Sequence, residues 1–262
     1  MKIRTLVFGY ALALALLLFA QRRPESAQWN DFQRVVDLSH SIGPDVPTYE
    51  LSKTPDFQAT TVATVAKDGY FARSISLPEH FGTHLDAPAH FIGGLWTVDQ
   101  IPPERLVGPM AVLDVSANAA KNADYQISVE DIAAWEKVHG QITPGAVVMV
   151  RTGWDDRWNS VTRYRNADAN GVMHFPGYSE DAAKFLVEAR QVRAIGIDTL
   201  SIDYGPSKNF PVHHYTLGHS VYQLENVASL AQAPPTGAIV VVAPMKLEGG
   251  SGAPVRILAL TK

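Results

Sequence analysis

The chain has 262 residues, with 22 Lys and Arg against 26 Asp and Glu, a formal charge of −4 and no cysteine. That mildly acidic balance gives nucleic acid no electrostatic footprint, and the missing thiols exclude disulfides and a lipidated cysteine. With 46% hydrophobic residues the chain has enough apolar side chains for a sizeable core.

Residues 1–20 carry Lys2 and Arg4, then an apolar run rich in Leu and Ala that ends at Ala20. This is the charge, core and small-residue ending of a secretory signal peptide. The apolar run is short for a membrane span, which needs about 20 residues. Cleavage is therefore expected near residues 20–27, giving an exported, periplasmic protein with no stable membrane association; an uncleaved anchor is the alternative. Arg22 and Arg23 follow the apolar run instead of preceding it, so the segment is not a twin-arginine signal. Losing Lys2 and Arg4 with residues 1–20 moves the formal charge from −4 to −6. Residues 28–262 contain no linker, repeat or low-complexity run and are expected to form a single domain.

After a short strand-like run at 35–38, Gly43, Pro44 and Pro47 mark a loop that contains Tyr49. Residues 57–66 (FQATTVATVA) and 71–77 (FARSISL) read as two strands of a hairpin. The hairpin leads into residues 80–90, HFGTHLDAPAH, where His80, His84, Asp86 and His90 share eleven residues with Gly82 and Pro88. Imidazole and carboxylate are donors that borderline divalent cations accept, so this stretch reads as a metal site. All four donors occupy even positions and share one face of an extended chain, whereas on a helix Asp86 would point away. Positions four apart on a straight strand are separated by roughly 13 Å, too far for one ion, so the segment should bend where Gly82 permits it. Phe91 to Trp96, just beyond, form an apolar edge that could wall the pocket, with an exposed or core Trp96 as the simpler account.

Further on, residues 110–115 read as a buried strand. Ser128 with Asp131 three residues on, followed by Ile132, Trp135 and Val138 before Gly140, predicts a capped helix. Residues 146–151 should form an interior strand. Residues 155–174 turn polar and read as a surface excursion, a lid or subunit contact. Ser179 should cap a helix over 180–190, and 193–198 another interior strand ending in Asp198, a possible partner for a ligand histidine. A second cluster, PVHHYTLGHSVYQLENV, places His213, His214 and His219 ahead of Glu225, and local sequence does not say which histidine turns inward. Strands are expected at 238–244 and 255–260, separated by the glycine-rich LEGGSGAP, whose default reading is a close-packed turn. Many strands and few helices give an α/β class dominated by a mixed sheet or barrel-like core.

HFGTHLDAPAH resembles the HxGTHxDxPxH signature of the metal-dependent cyclase superfamily, which includes bacterial kynurenine formamidase (arylformamidase) and isatin hydrolase. The likeness continues in order through VDLSHSI (36–42), VRTGW (150–154), FPGYSEDAAKFL (175–186), IGIDTLSID (195–203), FPVHH (210–214), LEN (224–226) and APMKLEGGSGAPVR (243–256). The resemblance implies the swivelling β/β/α fold and a homodimer or homotetramer. It implies that His80 and His84 bind a first metal, that Asp86 and Glu225 bridge it to a second completed by His213, and that His90 moves protons. By family position Tyr49 is a candidate substrate contact. The cofactor would be Zn or Mn, one or two ions per subunit.

An open coordination position lowers the pKa of bound water to about 7 and polarises a carbonyl. No GxSxG elbow offers a serine route. The expected activity is metal-dependent hydrolysis of the C–N bond of a small, aromatic amide, of the arylformamidase or isatin-hydrolase type. An exported metal-binding protein of the same fold without catalysis is the alternative.

Overall fold

The computed structural model describes residues 32–49 and 57–262. The expected signal segment lies outside the described residues, among which no helix is long and apolar enough to cross a membrane. The chain divides into two units, Met1–Gln33 with Lys262, and Arg34–Thr261.

Arg34–Thr261 is built on a barrel-like mixed sheet. Strand β1 (Arg34–Asp37) is followed by the hairpin β2 (Gln58–Ala63) and β3 (Ala72–Ser76), then by β4 (His84–Asp86) and β5 (Val107–Asp114). The short β6 (Gln126–Ile127) pairs with β8 (Gly177–Tyr178), while β7 (Val147–Arg151), β9 (Ala194–Ile197), β10 (Tyr222–Glu225), β11 (Ala238–Pro244) and β12 (Gly252–Thr261) join the main sheet. The order in that sheet is β1-β12-β11-β5-β7-β9-β10-β4, and β4 also pairs with β12, which closes seven of the eight strands into a ring. β5, β7, β9 and β10 run parallel; β4, β11 and β12 are antiparallel to their neighbours.

The central strands are buried on both faces, as parallel strands covered by helices must be. Alternation then sorts their side chains. Met110, Val112, Val147, Met149 and Leu224 turn into one core with Leu85, Val240 and Ile257. Ala111, Leu113, Val148, Val150, Ile195 and Ile197 turn to the other face. There Ile132 of α1 (Val129–His139) and Ala182, Ala183 and Leu186 of α2 (Glu180–Arg190) cover them. Both helices start as the sequence predicts: Ser128 and Asp131 form a capping box, and the Ser179 side chain accepts from the Ala182 N–H. Gly140, at φ 86°, ends α1.

Two expectations need correction. The strand predicted over 57–66 stops at Ala63, because Val65–Asp68 forms one helical turn closed by Gly69 in the left-handed region. Residues 155–174 are not simply a surface excursion. A short helix, Val161–Arg165, buries Tyr164 completely, and Trp154, Tyr164, Met173, Phe175 and Leu200 make a third small core. The polar residues hid one fully buried aromatic anchor, Tyr164, whose partners come mostly from outside the stretch. Of the apolar edge 91–96, Phe91 lines the cavity described below, while Trp96 packs against the barrel core, as its simpler reading had it.

Candidate metal centre

The hairpin delivers its donors as the sequence suggested: β3 ends at Ser76 and the chain turns at Gly82, where φ is +66°. A side chain there would also press on Ile42. Past the turn, His84 and Asp86 fall two apart on β4 and share a face. Antiparallel pairing sets Glu225 of β10 directly opposite His84. α3 (Pro211–Gly218), which starts after Phe210 at φ 45°, brings His213 to the same point. Four buried polar residues therefore meet: His84 is 4% exposed, Asp86 1%, His213 4% and Glu225 5%.

Their hydrogen bonds fix which atoms face inward. His84 Nδ1 lies 3.0 Å from Gly82 O, a carbonyl that only accepts, so Nδ1 carries the hydrogen. The opposite nitrogen, Nε2, stands 3.2 Å from Asp86 Oδ1 and 3.4 Å from Glu225 Oε2. His213 Nδ1 is 2.7 Å from Asp203 Oδ2, and its Nε2 faces Asp86 Oδ2 at 3.6 Å and Glu225 Oε1 at 3.3 Å. His80 Nδ1 lies 2.6 Å from Asp86 Oδ1. Each carboxylate thus spans the His84 and His213 sides of the cluster. Neutral imidazole lone pairs aimed at ionised carboxylates repel unless a proton or a metal cation sits among them, and imidazoles with carboxylates are a donor set that fits a divalent metal. Donor atoms of His80, His84 and Asp86, and of Asp86, His90 and His213, lie within 4.8 Å of one another.

The same demand for positive charge shapes the acid–base behaviour. Burial would lower the His84 pKa, but the charges and hydrogen bonds of Asp86 and Glu225 outweigh it and hold it up at about 10. Burial would raise the pKa of Asp86, yet His84, His213 and His80 keep it well below the usual carboxylate range. His90 behaves differently. Burial pushes its pKa down, and among the described residues no group hydrogen-bonds its ring. Its ring stands beside the cluster, 4.0 Å from the His80 ring and 6.2 Å from that of His213, centre to centre.

The cluster forms the floor of a cavity of about 510 Å³. Tyr49, Phe91, Phe210, Leu200, Pro47 and Pro78 line its walls, with Thr48, Ser201 and Asn226 as the neutral polar groups. Phe91 and Phe210 lie 5.8 Å apart and Tyr49 and Phe210 6.1 Å apart between ring centres.

Tyr49 and Glu225 stand far apart in the sequence, yet the family resemblance had gathered His80, His84, Asp86, His90, His213, Glu225 and Tyr49, and the cavity brings all seven together. His214 and His219 are exposed and do not line the cavity. Asp198 is not the partner of a ligand histidine: it accepts from Thr152 N, Thr152 Oγ1 and Gly153 N, so it ties two strand ends together. Asp203 supports His213 instead. It lies in the same IGIDTLSID block, five residues on, which is the signal that could have found it. Asn226 was also missed. At φ 54° it donates Nδ2 to Gly82 O and accepts from the Tyr164 hydroxyl, joining β10 to the turn before His84.

The family model described as putative cyclase matches residues 36–204. This chain belongs to that cyclase family. Among cyclase-family relatives, an isatin hydrolase of Roseibium aggregatum is 34% identical over 86% of this chain and 91% of its own length. A kynurenine formamidase of Salinibacter ruber is 27% identical over 85% of this chain and 95% of its own. The solved structure of isatin hydrolase A from Labrenzia aggregata, bound to benzyl benzoate, superposes with a TM-score of 0.83 at 35% identity, covering 95% of this chain and 99% of that one. The mixed barrel-like sheet with few helices is the cyclase-family architecture.

Proposed function

We propose that the chain is a metal-dependent hydrolase that opens the C–N bond of a small aromatic amide. One observation carries the reading: imidazole nitrogens and two carboxylates converge on the floor of an aromatic-walled cavity, with the unengaged His90 at their edge. The isatin hydrolase and kynurenine formamidase relatives support it.

His80, His84, Asp86, His213 and Glu225 would hold the metal, Asp86 and Glu225 serving both sides of the cluster. A donor set of imidazoles and carboxylates without thiolates suits Zn or Mn, as one or two ions per subunit. Bound there, the cation supplies Lewis acidity, polarising an amide carbonyl and lowering the pKa of water to about 7. His90 takes one proton of the attacking water and gives it to the departing nitrogen, so a C–O bond forms and the C–N bond breaks; a carboxylate and an aryl amine result, in one molecule when the amide is cyclic, and the water's second proton is released to solvent. Tyr49, Phe91 and Phe210 hold the aromatic ring by stacking and edge contacts.

Among the described wall residues there is no Arg or Lys. A neutral cyclic amide such as isatin therefore suits the cavity better than N-formylkynurenine, whose amino-acid end carries two charges that would need partners. The test is metal analysis of the purified protein, followed by turnover of isatin and N-formylkynurenine side by side, with and without chelator. Chelator-sensitive hydrolysis of isatin establishes the reading. Bound metal without turnover of either substrate keeps the site but moves the search to other amides, to lactones and to the non-catalytic metal-binding role.

We further propose that residues 28–262, released from the signal segment into the periplasm, act as a homodimer or homotetramer. The hairpin β2–β3 supports this, since a two-stranded hairpin is marginal alone and Val62, Val65, Tyr70, Phe71 and Ile75 on or beside it are exposed. Light scattering of the native protein, with mass analysis of its N-terminus after expression in a Gram-negative host, tests both points.

A further inference from the structure

The glycine-rich turn at 247–254 is shaped around one histidine. A Cβ on Gly252 would stand 2.5 Å from His80 Cε1 and 2.7 Å from Leu85 O, so the backbone passes against the imidazole with no room for a side chain. One residue earlier, Ser251 Oγ lies 2.9 Å from His80 Nε2. The same hydroxyl lies 2.7 Å from Glu79 Oε2, which also accepts the Ser251 backbone N–H at 2.9 Å.

These contacts leave one arrangement of hydrogens. An ionised carboxylate only accepts, and a serine hydroxyl has one hydrogen to give. With that hydrogen donated to Glu79, Ser251 Oγ must accept from His80, which therefore carries its hydrogen on Nε2. The nitrogen left for the cluster is Nδ1, 2.6 Å from Asp86 Oδ1. Whether Nδ1 shares a proton or a metal with Asp86, Nε2 keeps its hydrogen. His84 and His213 are held the opposite way round, each by its Nδ1.

We propose that Glu79 and Ser251 are positioning residues: their relay fixes His80 in the Nε2–H tautomer and makes Nδ1 its metal-ligating nitrogen, whereas His84 and His213 ligate through Nε2. The inference rests on the reading of the cluster as a metal centre. It gives the LEGGSGAP turn a function, since Gly252 admits the ring and Ser251 reads its outer nitrogen. His80 is also the ligand whose side chain is most open to solvent, at 27%. A fixed acceptor there keeps water from exchanging the two tautomers.

The test uses the full mature chain loaded with Zn²⁺. Two-bond ¹H–¹⁵N spectra of histidine-labelled protein should show His80 with hydrogen on Nε2 and metal on Nδ1. Zn²⁺ affinity, measured by competition with a chelating dye, should fall about 10–100-fold in Ser251→Ala and be restored in Ser251→Thr. Glu79→Ala frees the serine hydrogen to point at His80 and should also weaken binding; it serves if Ser251→Ala does not fold. A His80 bound through Nε2, or native Zn²⁺ affinity in folded Ser251→Ala and Glu79→Ala, overturns the proposal while leaving the metal centre intact. A native protein that binds neither Zn²⁺ nor Mn²⁺ overturns both.

Discussion

Asp203 grips His213 twice: its Oδ2 accepts from both the ring Nδ1, at 2.7 Å, and the backbone N–H, at 3.1 Å. Its Oδ1 accepts the Val212 N–H at 3.1 Å, so one carboxylate starts α3 and orients the histidine the helix carries. Asp203→Asn should therefore lower metal affinity or turnover about 10–100-fold, with much of the α3 anchoring retained. Metal titration of the variant checks this, and unchanged affinity would mean that the helix alone orients the ring.

His84 and His90 separate holding from proton transfer. His84→Ala should lose bound metal. His90→Ala should keep most of it while turnover falls about 10²–10⁴-fold, the usual range for a general acid–base group. Elemental analysis beside steady-state rates distinguishes them; equal loss of metal in both variants would refute the division of roles.

Tyr164 links the third small core to the centre, its single buried hydroxyl hydrogen shared between Asp198 O at 2.9 Å and Asn226 Oδ1 at 3.1 Å. Tyr164→Phe leaves those acceptors unpaired and should cost about 1–3 kcal/mol. Urea unfolding with an unchanged m-value would report it.

Arg190 pairs with Glu136 through two bonds, of 2.6 and 2.7 Å, and so joins α2 to α1. That guanidinium lowers the Glu136 pKa from its ordinary 4.5. A depressed carboxylate stabilises the fold above its unfolded pKa, and the contribution disappears as pH falls through the folded value. Glu136→Gln should cost about 1–3 kcal/mol at neutral pH, with the difference from the native chain shrinking as the pH drops below about 4.5. A constant difference over that window would assign the loss to packing.

Much of this protein was legible because its signals are local. Ser128 with Asp131 and Ser179 ahead of 180–190 announce helices through their own caps, and the apolar runs of β7 and β9 announce buried strands. The spacing of His80, His84, Asp86 and His90 marked a metal site, and Gly82 marked the bend it needs. Resemblance, not spacing, singled out His213, Glu225 and Tyr49.

What only the tertiary structure decided are pairings across long stretches of chain. Glu225 stands opposite His84 because β10 and β4 are antiparallel neighbours, a register no local pattern encodes. Asp203 and not Asp198 supports His213, because α3 starts over Asp203 while Asp198 is occupied by Thr152 and Gly153. Tyr164 lay unnoticed in a polar run because burial is set by what packs on a side chain, and its partners Asp198 and Asn226 are 34 and 62 residues away. Sequence supplied the donors; hydrogen bonding between distant segments determined which nitrogen of each histidine faces the centre.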